Sequence, residues 1–321
     1  MMKAWICRRY GSPDVLQLEE RPDPVAGDGE ILIGVRATTV NSGDARVRGC
    51  DFPAGMKTMG RLALGWNGPR QPVLGTELAG EVEAVGQGVT RFRPGDRVFA
   101  FPGGKMGAHA ELVTLRADGK VAQIPQGIGF DEAAALCFGG TTALHYLRRA
   151  ELSPGQSILV LGGSGAVGVA LIQLAVQRGA IVTATTSTPN LELVGALGAR
   201  TIDYTTTDPA TLDEKFDVVA DTVGALDFNR AQLLLKPGGR YLAIAGGIRE
   251  MLASTRRGPN DTRMISGPAA ENADDIVELA RLAETGAFRP HIDRVFDFAD
   301  MPAAHALVDT HRKRGSVVVQ L

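Results

Sequence analysis

The run Gly162-Gly-Ser-Gly-Ala-Val-Gly168 constrains this chain more than any other stretch. It follows a β-branched apolar segment, SILVLG, and opens the uncharged segment AVGVALIQLAVQ. Ser157 to Gln177 carries no charged residue, so a membrane span has to be weighed. Four glycines crowded into its first half favour a strand, a tight turn and a helix instead. Within Gly163-x-Gly165-x-x-Gly168 each glycine is expected to serve a different purpose. Gly163 permits the turn, Gly165 the close approach of an anion, and Gly168 the packing of helix against strand. The helix start then offers unpaired N–H groups to a pyrophosphate. Gly163, Ser164, Gly165, Ala166, Val167 and Gly168 are therefore expected to hold a dinucleotide. The plain alternative is a glycine turn in a non-binding α/β domain. A nucleophile elbow around Ser164 fits poorly, since the closing glycine of that pattern is Ala166.

Strands and helices alternate beyond this turn. AIVTAT (180–185), FDVVAD (216–221) and RYLAIA (240–245) read as strands, and 190–197 and about 225–235 as helices. Such alternation implies a parallel sheet covered on both faces. Residues before about 125 are richer in strand signals, as in ILIGVRATTV (31–40) and the turn Pro94-Gly95-Asp96. Asp131 is expected to cap a long helix through EAAALCFGGTTALHYLRRA. The last thirty residues return to strand texture, and a tail of that kind folds back on the first domain. The expected division is 1–124 with 289–321 as one domain and 125–288 as the other.

A net charge of −2 with no basic stripe removes the electrostatic term on which nucleic-acid binding depends. Cys7, Cys50 and Cys137 form neither CxxC nor a disulfide framework, which favours a reducing, cytoplasmic setting. The opening MMKAWICRRYGSPD interrupts its apolar residues with charge early, unlike a secretory leader. For the cofactor, the end of the second strand decides. NAD sites place an acid there, about 20 residues past the glycines, to accept from the ribose. Here Thr185-Thr186-Ser187 stand instead and the next acid is Glu192, so NADPH is expected, with Thr186 and Ser187 as donors.

In order and spacing, YGSPDVLQLEE, VRATTVNSGDARVRG, PVLGTELAGEVEAVG, PGDRVFAF, GGTTALHYL, GGSGAVG, LGARTIDY, VVADTVG, LKPGGRYL and RGSVVVQL make the chain resemble the medium-chain dehydrogenase/reductase superfamily. It is most similar to the zinc-independent quinone oxidoreductase and enoyl reductase branch. The resemblance implies a Rossmann doubly wound parallel sheet plus a GroES-like β-rich catalytic domain, with a homodimer as the assembly. It makes Asn41 the residue lining the nicotinamide and substrate pocket, puts Thr142 near the nicotinamide, and gives Ser187 and Tyr204 to the 2′-phosphate. The backbone of Ala245-Gly246-Gly247 would touch the nicotinamide amide. Asn190 departs from the pattern, standing where many NADPH-using relatives carry Lys.

Residues that are missing narrow the chemistry. Where zinc-dependent relatives carry Gly-His-Glu, this chain has Gly75-Thr76-Glu77, and no Cys lies between Asn41 and Asp44. The five histidines show no ligand spacing, and no Tyr stands four residues before a Lys. Without a Lewis acid or such a proton donor, hydride addition to a quinone or a conjugated C=C is the easier reaction, because charge delocalises into an enolate that a few hydrogen bonds hold. Asn41 is the candidate for one of them. Asp44, nearby, reads more readily as a cap or ion-pair partner. Phe52, Met56, Met59, Leu62 and Trp66 suggest an apolar substrate wall. The alternatives are a zinc-independent alcohol or ketone dehydrogenase and a non-catalytic NADPH-binding protein.

Overall fold

The computed structural model of the protein describes residues 1–51, 57–246 and 256–321. The chain divides into two compact units, Met1–Phe138 with Glu271–Leu321, and Gly139–Ala270. These divisions fall later and earlier, respectively, than the sequence pattern suggested.

In the first unit β1 (Met2–Cys7) pairs antiparallel with β2 (Leu16–Arg21). A larger sheet is built from β3 (Glu30–Val40), β4 (Leu78–Val85), β5 (Arg97–Ala100), β6 (Leu112–Arg116) and β7 (Val121–Gln123). Alternate residues Ile31, Ile33 and Val35 of β3 bury against Leu78, Val82 and Val98, as a half-buried strand requires. Helices α1 (Ser42–Gly49), α2 (Lys57–Leu64) and α3 (Phe130–Ala134) belong to this unit.

The second unit takes most of α4 (Cys137–Arg149), then β8 (Ser157–Leu161), α5 (Ala166–Gln177), β9 (Ile181–Thr186), α6 (Leu191–Ala196) and β10 (Arg200–Asp203). It continues with β11 (Phe216–Asp221), α7 (Phe228–Gln232), β12 (Leu235–Ala243) and β13 (Arg263–Ser266). Its six strands lie in the order β10-β9-β8-β11-β12-β13, every neighbouring pair parallel. This is the doubly wound arrangement, and the order reverses between β8 and β11, where such sheets open a crevice at their carboxyl ends.

After α8 (Ala273–Glu284) the chain adds β14 (Ile292–Asp297), α9 (Met301–Asp309) and β15 (Ser316–Gln320). β15 pairs antiparallel with β3, Val317 opposite Val40, and parallel with β14. The tail does return to the first unit, but its strand texture conceals α9. Ile276, Leu279 and Ala283 bury one face of α8, which is grouped with the first unit.

Two expectations need correction. The helix from Asp131 is two helices, broken at Ala135, and Asp131 lies inside the first turn of α3, where Gly129 is the cap and the Asp131 carboxylate accepts from Gln320. A fresh helix starts because the buried Glu77 carboxylate accepts from the Phe138 N–H at 2.7 Å, satisfying a donor that α4 leaves unpaired. The helix expected over 225–235 is reduced to α7, since the Asp221 carboxylate holds the preceding loop by accepting from Val223, Gly224 and Leu226 N–H groups.

The turn glycines also divide their roles differently. The positive φ, 84°, falls on Gly162, one residue before the expected position. Gly163 instead packs edgewise, where a Cβ would sit 3.0 Å from the Ala184 side chain. At Gly168 a Cβ would come within 2.2 Å of the Gly162 carbonyl oxygen, so helix and strand meet backbone to backbone. At Gly165 the nearest atom would be 3.7 Å away. Gly168→Ala is thus expected to cost about 1–3 kcal/mol of stability as an overpacked core substitution. Gly165→Ala, with room for its methyl, is expected to lower the urea midpoint only by the smaller cost of a poorer N-cap. Equal midpoints for both variants would refute the contact.

Burial also raises two carboxyl groups of the first unit. Desolvation pushes Asp44 up to about 8, although its Oδ2 accepts from the Asn41 N–H at 3.0 Å. Desolvation pushes Glu77 up to about 7, against hydrogen bonds from the Thr39 hydroxyl and the Phe138 N–H. A folded-state pKa above the unfolded one means stability that is complete below the ordinary carboxylate range and is lost as pH rises through the folded value. Asp44→Asn keeps an acceptor and cannot ionise. The fall in urea midpoint between about pH 5 and about pH 9 is therefore expected to be smaller in this variant than in the wild type. Identical falls would show that Asp44 does not titrate there.

Candidate functional site

The carboxyl ends of β8 to β12 gather most of the residues that the sequence marks for a cofactor. After β8, Gly163 donates to the Thr185 carbonyl at 2.8 Å, tying the loop to β9. Ser164, Gly165, Ala166 and Val167 are half-buried, and Gly168 is buried. Gly165 caps α5 with no side-chain acceptor, and no acid stands in the first turn of the helix. The first N–H groups of α5 are left for an outside acceptor, and the open side of Gly165 gives that acceptor access.

β9 and β10 end side by side, Thr186 in register with Asp203. Tyr204 donates its N–H to the Thr186 carbonyl at 3.1 Å and leaves its ring half exposed. Asn190 is buried behind Ser187 and Ser164. Its Nδ2 donates to Ser187 Oγ at 3.1 Å and lies 3.4 Å from Ser164 Oγ. The phosphate loop and the ribose-side loop are thus joined through one amide. Thr186 Oγ1 and Asn190 Oδ1 are buried without a hydrogen-bond partner. Orphaned polar atoms beside an open glycine cradle fit a bound polar ligand, and Ser164, Gly165, Ser187 and Tyr204 are the residues that would hold a dinucleotide there.

A cavity of about 370 Å³ opens at the ends of β11 and β12. Asp221, Gly224, Leu226, Tyr241, Ala245 and Gly246 are among its lining residues. Ala245 donates to the Asp221 carbonyl at 3.2 Å, which fixes the segment expected at the nicotinamide amide. Gly247 lies outside the described residues. Thr142 sits half-buried on α4.

Asn41 belongs to the first unit, where it is a helix cap. Its Oδ1 accepts from Gly43 and Asp44 N–H groups at 2.9 and 3.3 Å, completing a capping box with Asp44. Its Nδ2 donates to Thr76 Oγ1 at 2.6 Å, so the residue in the expected His position serves Asn41. That leaves one Asn41 amide hydrogen without an assigned acceptor. Tyr10, Tyr146 and Tyr241 donate to carbonyls of Gly65, Gly267 and Leu226, consistent with packing roles. Of the expected apolar wall, Phe52 and Met56 lie outside the described residues, as does the side chain of Met59, while Leu62 and Trp66 are exposed. Among the described residues no group of three His, Cys, Asp or Glu side chains is placed to hold a metal ion, and no helix is long and apolar enough to cross a membrane.

Sequence reasoning missed Asp221, Asp203 and the bridging role of Asn190. The signal for the two acids was available, because each closes a strand of the parallel sheet, where site residues collect. Nothing in the sequence pairs Asn190 with Ser164.

Comparison with known proteins bears on this geometry. Residues 27–126 match the family described as alcohol dehydrogenase GroES-like domain, and residues 197–319 the one described as zinc-binding dehydrogenase. An Arabidopsis thaliana protein named NADPH-dependent alkenal/one oxidoreductase, chloroplastic, is 34% identical over 331 residues, covering 99% of this chain and 79% of that protein. A Pseudomonas aeruginosa quinone oxidoreductase is 33% identical, covering 97% of each. The structure of a quinone oxidoreductase from Coxiella burnetii superposes with a TM-score of 0.86 at 29% identity, covering 100% of this chain and 99% of that one. The chain belongs to the medium-chain dehydrogenase/reductase superfamily, in its quinone oxidoreductase and enoyl reductase branch.

Proposed function

We propose that this chain is an NAD(P)H-dependent oxidoreductase that reduces quinones or α,β-unsaturated carbonyls, with NADPH as its donor. The observation that carries the reading is the uncapped start of α5 behind the open face of Gly165, at the point where the strand order of the parallel sheet reverses. The names of the relatives supply the substrate classes. NADPH supplies a hydride when bound. The chain's own residues supply the rest: the N–H groups of α5 take the pyrophosphate, Ser187 and Tyr204 the adenosine ribose, and Ala245 and Gly246 the nicotinamide end.

The reading takes the reaction to proceed without zinc. Thr76 occupies the position of a ligand histidine, and its hydroxyl accepts from Asn41. Charge building on the substrate oxygen is then met by hydrogen bonds, and the amide hydrogen of Asn41 not used on Thr76 is assigned to that oxygen. A homodimer accompanies this reading by resemblance, and a cytoplasmic setting by the lack of a cysteine framework. Turnover of NADPH against panels of quinones and enones, after dialysis against a strong chelator, tests it. Steady oxidation at the undialysed rate is expected. Activity lost together with stoichiometric zinc overturns the metal-free mechanism, and binding without turnover on any acceptor overturns the enzyme.

Asn41→Asp separates chemistry from capping. Asp is as good an N-cap as Asn, so the capping box survives while both amide donors disappear. A buried carboxylate beside Asp44 lowers the melting temperature, so rates are compared well below it; the expected result there is retained NADPH binding with kcat lower by roughly 10²–10³, the effect of removing one oxyanion donor. An unchanged kcat/KM on the best acceptor leaves Asn41 as a cap only.

A further inference from the structure

Three facts meet at the ribose end of the site. The Asn190 amide is 9% exposed; Nδ2 faces two serine hydroxyls and Oδ1 faces no donor. Ser187 and Ser164, the partners of that amide, are half-buried, while Asn190 is buried. Among the described residues, no hydrogen bond or ion pair of residues 186–190 or 203–205 involves Lys or Arg. The one formal charge in this contact set is negative. Asp203 accepts from the Thr188 hydroxyl at 2.5 Å and from Thr205 Oγ1 and N at 2.6 and 2.9 Å. Those donors hold its carboxyl below the usual range.

A serine hydroxyl both donates and accepts, and an amide can present either end. With Nδ2 toward the serines, their oxygens accept from the amide and their hydrogens are free to point outward, toward a phosphate. With the amide turned over, Oδ1 accepts the serine hydrogens and the serine lone pairs point outward, toward a ribose hydroxyl. A donor on Oδ1 would select one orientation, and the protein provides none. We infer that Asn190 is a positioning residue that sets the polarity of Ser187 and Ser164, and that the site therefore accepts NADH as well as NADPH. The inference rests on the dinucleotide reading above and extends its donor. Asp203 acts in the same direction, because a 2′-phosphate would meet a carboxylate near its site and, in the contacts of these described residues, no Lys or Arg.

The test is calorimetric and independent of turnover. The full-length protein is titrated with NADPH, NADH, 2′,5′-ADP and 5′-AMP at one ionic strength. Wild-type dissociation constants for NADPH and NADH are expected within about tenfold of each other. Asn190→Asp accepts only, turns the serine hydrogens inward, and is expected to move the ratio toward NADH by about tenfold or more. Ser187→Ala serves where the buried acid prevents folding. Since the hydroxyl is used by both cofactors, both adenosine ligands are expected to weaken by about threefold to tenfold, the loss of one neutral hydrogen bond. A loss confined to NADPH and 2′,5′-ADP in Ser187→Ala, or an unmoved ratio in folded Asn190→Asp, overturns the inference while leaving the dinucleotide reading intact. Failure of all four ligands to bind the wild type overturns that reading, and the inference with it.

Discussion

The approach of α5 to β8 without an intervening side chain is the contact on which the second unit depends. Gly168 can lie against the Gly162 carbonyl only because it carries no Cβ. That closeness sets the depth of the helix start relative to the carboxyl ends of the strands. A helix displaced outward by one methyl group would still be apolar and would still cover the sheet. Its first N–H groups would move outward with it, away from the Gly162 carbonyl. The glycine pattern therefore states a distance, and the rest of the site is arranged around it.

The first unit follows a different rule. Its order near Asn41 comes from polar groups taken out of water in mutually satisfying sets: Asn41 with Asp44 and Thr76, and Glu77 with Thr39 and the start of α4. Such groups are costly when unpaired and rigid when paired. Neighbouring histidines follow this rule only in part, since His109 Nδ1 and His305 Nε2 are buried without a hydrogen-bond partner. His109 and His305 are buried with rings 5.5 Å apart, and desolvation drives His109 down to about 4, so it packs as a neutral ring. Asn41 and Thr76, which the resemblance sets near the metal-ligand positions of zinc-dependent relatives, form a helix cap and its hydroxyl partner. A chemical role for Asn41 therefore has to coexist with a structural one.

Much of this was legible in the residues because it follows from local rules. The glycine turn, the strands FDVVAD and 31–40 and the helix ending at Gly198 are set by periodicity and by backbone conformations that few residues adopt. What was not legible depended on partners distant in the chain. No local pattern reveals that Glu77 begins α4, that Asp221 shortens α7, or that Gln320 takes the Asp131 carboxylate away from capping. α9 was hidden because its residues, MPAAHALVD, lie between two strands in a short stretch whose apolar residues suit either structure. Asn190 was visible as a departure from a pattern. Its partners, Ser164 and Ser187, emerged only when β8 and β9 were placed side by side.

The pairing of β15 with β3 has a consequence for synthesis. The parallel sheet is made from one uninterrupted stretch and has all six strands once Ser266 has been added. The sheet of the first unit lacks the strand between β3 and β14 until residue 320 has been made. During translation β3 exposes an unpaired edge, while the later half of the chain already has what it needs to fold. The later-made sheet can therefore be complete while part of the β3 edge still waits for β15, and an unpaired edge is the kind of feature that invites aggregation.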